Sequence, residues 1–397
     1  MILSEDSRES WDGKLIARAY KNPSKYVKEL KKEGYNPKIM LDFSGILLES
    51  LQELGNNKFL DKLEVEGEKI GDIIELYKEI LKKYPDSVEI AGTAYSHCYF
   101  PTTPEDDLKL QIEEWRETFK KIFGRKNLER VKGFWFPEMG IPGFENKLHL
   151  LIKAVKEYYE WCILPLQAIE GYENLSYKER IKTSCMPHLL EIKDQSIPII
   201  FRIPTYFIDQ QSGCEANELY TKLIEAGKIF SNNKPAFVVS ASDGENGNVM
   251  ANEFFPKTFV PFFKEKLNNK ISSYCVTDFL HEFYSEKVEI KPTSKIKVKT
   301  IGASWVDTHE FWSGGLERTE MVKKIRDASN KFHEIERRLR ERKIEKEIQA
   351  ALEETKHALL ISETSCYVYW GTDFWFAQGE QTLNYIYKKI QNLINEV

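Results

Sequence analysis

The sequence predicts an α/β protein: a closed or nearly closed β/α barrel followed by a helical C-terminal part. Two observations carry this. Short apolar strand-like runs alternate with amphipathic helical stretches through the first ~290 residues, which is the pattern of βα units and a largely parallel sheet. Beyond residue 317 that alternation stops and helical periodicity takes over. Seven or so βα units in under 300 residues suit a barrel better than an open sheet.

The strand candidates are 38–43, 87–91, 130–136, 161–164, 198–203 and 236–241, with 272–276 a weaker seventh. On either side of the 87–91 candidate lie two helical patterns. One spans 67–83, with Ile70, Ile73, Ile74, Tyr77, Ile80 and Leu81 on one face; the other spans 106–123. Residues 291–300 form a basic, strand-like connector. In the tail Ile335, Leu339, Ile344, Ile348 and Leu352 recur at helical spacing. Glu334/Arg338 and Glu336/Arg340 sit at i,i+4 on a solvated face, and a last helix covers about 380–394. The reading is a barrel over 1–290 and a helical part over 291–397.

Composition narrows the function. The 397 residues are 42% hydrophobic and 30% charged, enough for a sizeable core. With 57 basic and 62 acidic residues the net charge is −5, which argues against a general nucleic-acid binder. No apolar run reaches the ~18 residues of a membrane helix. The start turns acidic and polar at once, unlike a secretory signal. The six cysteines form no CxxC pair, and no HExxH or other zinc spacing occurs. These features read as a cytoplasmic protein with reduced thiols, no metal and no cofactor.

Three strand ends carry chemistry. The segment 88–101 ends a strand at Gly92 and continues through Tyr95, His97 and Pro101; a plain turn with a satisfied histidine accounts for it equally well. The segment 131–140 delivers Trp135, Phe136, Pro137 and Glu138 from an apolar strand. An acidic residue there is costly unless it faces a cavity or a partner, such as a helix cap or a lysine. The segment 236–248 ends in Asp243-Gly244-Glu245, which also suits an ordinary turn. A barrel brings Glu138 and Asp243 to one rim. Two carboxylates so placed are what glycosidic chemistry needs, one ionised and one protonated. The 50 aromatic residues (8 Trp, 19 Tyr, 23 Phe) supply stacking faces for sugars.

Taken in order, these segments resemble glycoside hydrolase family 57, the retaining α-glucan enzymes. Segment 92–101 resembles the family's second region, Trp135-Phe136-Pro137-Glu138 its third and Asp243-Gly244-Glu245 its fourth. Residues 41–48, with Leu47 and Leu48, resemble the strand before its LL-containing helix, and 362–371 its fifth region. The resemblance implies a distorted, TIM-like seven-stranded β/α barrel with a C-terminal helical bundle that contributes to the site. It implies Glu138 as nucleophile and Asp243 as general acid/base, with carboxyls ~5–5.5 Å apart. It implies substrate contacts from His97, Tyr95, Trp135, Glu245 and Trp370. Trp305 and Trp312 are further candidates, for a sugar subsite or for packing between barrel and helices. The expected activity is a glycosidase, α-amylase-like, or a glucanotransferase on α-glucans or oligosaccharides. The alternative is a glucan-binding or regulatory protein with weak turnover.

Two departures motivate that alternative. No histidine precedes His97, so the family's first region is missing, and Cys366 stands where many relatives carry Asp. Either 1–10 is a poor substitute strand or the true start lies upstream; the second is favoured, with a gap expected beside the 38–43 strand.

Overall fold

The computed structural model describes residues 8–143, 145–209, 214–241, 244, 253–268, 270–287, 289–340 and 345–395. Five parallel strands succeed one another in space: β1 (Ile39–Leu41), β2 (Val88–Ile90), β3 (Gly133–Trp135), β4 (Trp161–Pro165) and, after the antiparallel β5 (His188–Ile192), β6 (Gln195–Arg202). β1 pairs with β2 through Ile39↔Val88 and Leu41↔Ile90. The step from β2 to β3 is made past the end of β2, where the Gly92 and Trp135 N–H groups donate to Gly133 and Gly92 carbonyls at 2.8 Å. β3 pairs with β4 and β4 with β6, all parallel. β5 covers the first half of the far edge of β6 as a hairpin. The second half meets Val239, whose carbonyl accepts from Ile203 N–H at 2.7 Å.

Side chains alternate between two cores, as a pleated strand requires. Ile90, Phe134, Cys162, Leu164, Ile199 and Phe201 face outward into the main core. That core is shared with helices α1 (Arg8–Lys32), α2 (Gly45–Asn56), α3 (Ile73–Lys83), α4 (Leu108–Phe123) and α5 (Glu145–Lys156). Met40, Trp135, Trp161, Ile163 and Ile200 face inward, where they meet Val276, Phe279 and Leu280. Those three lie on the nine-residue helix Val276–Tyr284, which follows α6 (Tyr177–Ser184) and α7 (Ala216–Phe230) and is α8 here. Glu89, the inward residue of β2, is buried and accepts the backbone N–H groups of Val276 and Thr277, the latter at 3.1 Å. A carboxylate at a helix N-terminus satisfies orphan donors and favours the helix dipole. Trp161 Nε1 donates to Thr277 Oγ1 at 2.9 Å, so α8 is tied to two strands.

The remaining expectations fare unevenly. The helix expected over 67–83 begins only at Ile73, after Asp72 caps it by accepting Glu75 N–H at 3.0 Å. Glu68–Lys69 instead pairs with Glu64–Val65, across a two-residue turn in which Glu66 (φ 53°) and Gly67 (φ 81°) are both left-handed. Such a turn matches the twist of the strands it joins. Segment 272–276 is no strand, because Cys275 is the residue that begins α8. Segment 236–241 contributes one bridge, at Val239. Among the described residues no pairing closes the ring from Val239 to β1, and β1 pairs only with β2. Arg8 to Ser10 open α1 rather than a strand, and residues 1–7 lie outside the described ones.

Three long helices, α9 (Leu316–Arg340), α10 (Lys346–Ser362) and α11 (Asp373–Asn395), pack together around Ile325, Phe332, Leu359, Leu383 and Ile386. Tyr99 and Trp312 belong to the same cluster. No helix among the described residues is long and apolar enough to cross a membrane. None of the six cysteines is in a disulfide.

A buried polar network joins α9 and α10 to the N-terminal side of α4. Asp107 accepts from Ser329 Oγ at 2.5 Å and pairs with His333 Nε2 at 2.6 Å. Gln111 Nε2 donates to Glu363 Oε2 at 2.8 Å and to the Leu360 carbonyl at 2.9 Å. Glu363 Oε1 has no donor among the described residues, and Asp107 lies beside it. Burial, and then the Asp107 charge, push the Glu363 carboxyl well above the usual range. Burial acts upward on Asp107 too, but hydrogen bonds from His333, Glu363 and Ser329 outweigh it and hold Asp107 low. A proton on Glu363, donated to Asp107, satisfies both groups.

A raised folded-state pKa means that stability is complete below the ordinary glutamate value and is lost as pH rises towards the raised one. Glu363→Gln keeps the shape and the donor and removes that loss. Chemical denaturation of both proteins from pH 4 to pH 9 should show the variant gaining on the wild type as pH rises. A variant that is less stable than wild type at neutral pH would mean that Glu363 is ionised in the fold.

Candidate active site

Glu138 leaves the end of β3 in an unusual backbone. After Phe136 and Pro137 the chain enters the left-handed region twice, at Glu138 (φ 57°) and Met139 (φ 47°). Non-glycine residues there cost about 1–3 kcal/mol each and persist only where neighbours hold them. The holders are visible. Met139 N–H donates to Phe136 carbonyl at 2.8 Å and Gly140 N–H to Pro137 carbonyl at 2.9 Å. The Glu138 carbonyl accepts Trp305 N–H at 3.0 Å. Gly140 is required by close approach, since a Cβ there would lie 2.5 Å from the Tyr99 ring.

The Glu138 side chain is mostly covered, 16% exposed, and its Oε1 accepts from Ser365 Oγ at 3.0 Å. His97 comes from the loop after β2, itself left-handed at φ 55°. Its Nδ1 stands 3.2 Å from Ser365 Oγ and 3.8 Å from Glu138 Oε1. Ser365 N–H donates to the His97 carbonyl at 3.2 Å, and Thr364 bridges Cys98 in antiparallel fashion. Trp135 and Trp305 are half-buried and pack in the same inward cluster as Met139. Gln167, in the turn after β4, donates to the Ser304 carbonyl at 2.8 Å and so holds the Trp305 loop. The structure thus gathers Glu138, His97, Trp135 and Trp305 around one rim.

Other candidates lie elsewhere or deeper. Tyr95 is buried against α2 and α10, donating to Glu49 Oε2 at 2.7 Å and lying 3.1 Å from His357 Nε2. Trp312 is fully buried and stacks on Tyr99 at 4.1 Å between ring centroids. Burial pushes the Tyr99 phenol up, and its hydroxyl meets His309 Nδ1. Trp370 is 56% exposed, at the end of the short helix Cys366–Tyr369. Asp307 is ion-paired with Lys299 at 3.5 Å. Asp243 and Glu245 lie outside the described residues. Among the described residues no group of three or more His, Cys, Asp or Glu side chains is placed to hold a metal ion.

Ser365 is the polar contact that the sequence reading missed. It sits next to Cys366, the position that drew notice, but a serine among Thr364, Ser365 and Ser362 carries no chemical mark of its own.

The sequence profile of Glycosyl hydrolase family 57 matches residues 14–299. Among solved structures, the fold is similar to a GH57-type branching enzyme from Pyrococcus horikoshii, with a TM-score of 0.64 at 15% identity over 98% of this chain and 85% of that one. It is also similar to a 4-alpha-glucanotransferase from Thermococcus litoralis (TM-score 0.61, 16% identity, 93% and 55% covered). A third is an exo-type maltose-forming amylase from Pyrococcus sp. ST04 (TM-score 0.63, 14% identity, 94% and 73% covered). A search of curated proteins returned no match.

The depth of Trp312 leads to a stability test. Trp312→Ala removes a fully buried indole stacked on Tyr99 and should cost about 3–5 kcal/mol in urea unfolding. Trp305→Ala, at a half-buried position, should cost clearly less. Equal losses would place Trp305 in the core rather than on the rim.

Proposed function

The chain belongs to glycosyl hydrolase family 57, and on that premise we propose that it is a retaining enzyme acting on α-glucans, with Glu138 as nucleophile and Asp243 as general acid/base. The observation that carries this reading is the Glu138 carboxylate, mostly covered, presented from a strand end with Ser365 donating to it and the Trp305 N–H on its backbone carbonyl. Branching, glucan transfer and maltose formation are what the similar solved structures do.

In the first step a Glu138 oxygen forms a bond to the anomeric carbon as the glycosidic C–O bond breaks. The departing oxygen takes the proton of Asp243. In the second step an acceptor hydroxyl attacks the same carbon, its proton passes to the Asp243 carboxylate, and the ester bond to Glu138 breaks. Water as acceptor gives hydrolysis, as in an α-amylase; a glucan hydroxyl gives transfer. His97, Trp135 and Trp305 are assigned to sugar contacts on the rim and Glu245 to a further substrate contact, with Tyr95, Trp312 and Trp370 as outer or supporting positions. The barrel is taken as 1–290, seven-stranded when complete, and the helical part as 291–397. The thiol pattern supports a cytoplasmic location. A glucan-binding role with little turnover is the second reading, favoured by Cys366.

Incubation with maltoheptaose and chromatography of the products separates these. Shorter sugars alone mean hydrolysis, and longer ones as well mean transfer. No products, with binding measurable by calorimetry, supports the second reading. Glu138→Gln is nearly isosteric, so it should keep the fold and lose at least about 10³-fold in turnover, as expected when a nucleophile is deleted. Undiminished turnover in a folded Glu138→Gln protein would place the nucleophile elsewhere.

A further inference from the structure

The two oxygens of the Glu138 carboxylate are in different situations. Oε1 accepts the Ser365 hydroxyl at 3.0 Å and has His97 Nδ1 at 3.8 Å. Oε2 has no hydrogen-bond partner among the described residues. Ser365 Oγ also meets His97 Nδ1 at 3.2 Å. A hydroxyl has one hydrogen to give. Once that hydrogen goes to the carboxylate, the contact with His97 needs a hydrogen on Nδ1. The donor count therefore orders the three groups: His97 Nδ1–H to Ser365 Oγ, and Ser365 O–H to Glu138 Oε1.

Ser365 is itself fixed. It is 2% exposed, and its N–H donates to the His97 carbonyl. Its own carbonyl accepts from Val368 at 3.1 Å and Tyr369 at 2.8 Å, closing the short helix that follows. Two residues earlier Glu363 is held by Gln111. A hydroxyl with so little freedom holds one geometry.

We propose that Ser365 is the positioning residue of Glu138: it pins Oε1 and leaves Oε2 to attack the anomeric carbon. The proposal rests on the retaining α-glucan reading. In the first step the Oε2 lone pair forms the ester bond and the glycosidic C–O electron pair leaves with its oxygen, which takes the Asp243 proton. In the second step the acceptor oxygen forms a bond to the anomeric carbon as the ester C–O electron pair returns to Glu138, and the acceptor's proton goes to Asp243. The Ser365 O–H then steadies the returning charge, since hydrogen bonds to ionised groups are the stronger kind.

The test uses the full chain in two readouts. Imidazole ¹⁵N NMR of the labelled protein, with His97 assigned by comparison with His97→Gln, reports which ring nitrogen carries hydrogen. The wild type should show Nδ1–H at His97, Ser365→Thr should keep it, and Ser365→Ala should shift it towards Nε2–H. Steady-state kinetics on maltoheptaose should show kcat falling about 10–100-fold in Ser365→Ala, as expected from a loosened reacting group, with KM within about threefold. Ser365→Thr should recover most of kcat. Wild-type kcat in Ser365→Ala overturns the proposal, as does a wild-type spectrum with hydrogen only on Nε2 of His97. If the wild type turns over no glucan, the enzyme reading fails, and the NMR comparison alone then decides whether Ser365 links His97 to Glu138.

Discussion

The hydrogen bond from Trp305 N–H to the Glu138 carbonyl is the contact on which the site depends. It holds a two-residue left-handed turn that no glycine relieves. Four of the nine described non-glycine residues with positive φ lie in this region: His97, Glu138, Met139 and Asp307. Strain concentrated in one place, and held there by contacts from distant sequence, is how a reactive group is kept in a conformation it would not choose alone. Trp305 is 167 residues from Glu138, and Ser365 is further still.

The second constraint is that parallel strands bury both faces. Outward residues are covered by α1 to α5, as in any βα arrangement. Inward residues need a cover as well, and α8 supplies it at one end, with Glu89 on its first N–H groups. Burial pushes the Glu89 carboxyl up even though Thr277 and Val276 donate to it. A buried acid at a helix start is thus a compromise between desolvation and orphaned donors. The same inward cluster holds Trp135, Met139 and Trp305, the last donating its N–H to the Glu138 carbonyl.

Much of this was legible in the residues. Apolar runs located all five parallel strands to within a few residues, because a strand buried on both faces is mostly apolar, and the one buried acid of β2, Glu89, is satisfied by the start of α8. The helix at Ile73–Lys83 was legible from Ile73, Ile74, Tyr77, Ile80 and Leu81, but its start was not. Ile70 fits the helical period, yet Glu66 and Gly67 make a turn whose demand for positive φ outweighs that pattern. The β5 hairpin was missed because Leu189 and Leu190 do not alternate clearly in so short a run. At the site, Glu138 stood out as an acid after an apolar strand. Ser365 did not, since only the folding of residues 364–365 against His97 and Cys98 makes its hydroxyl meaningful. Trp312 read equally as a sugar subsite or as packing, and Tyr95 as a substrate contact; only the folded packing distinguishes an indole under Tyr99 from one on a rim.

The contacts around Glu138 have a consequence for ancestry. The carboxylate comes from one stretch of chain, its backbone is braced by residues near 305, and its oxygen is held by residue 365. The Asp107–His333 and Gln111–Glu363 bonds add two more ties between the same distant stretches. Such a centre resists shuffling. A recombinant that joined the first 290 residues of this chain to the tail of a distant cousin would inherit a carboxylate without its brace. The two stretches are therefore expected to drift in step along a lineage, substitutions around Glu138 being answered near 305 and 365 rather than by local neighbours.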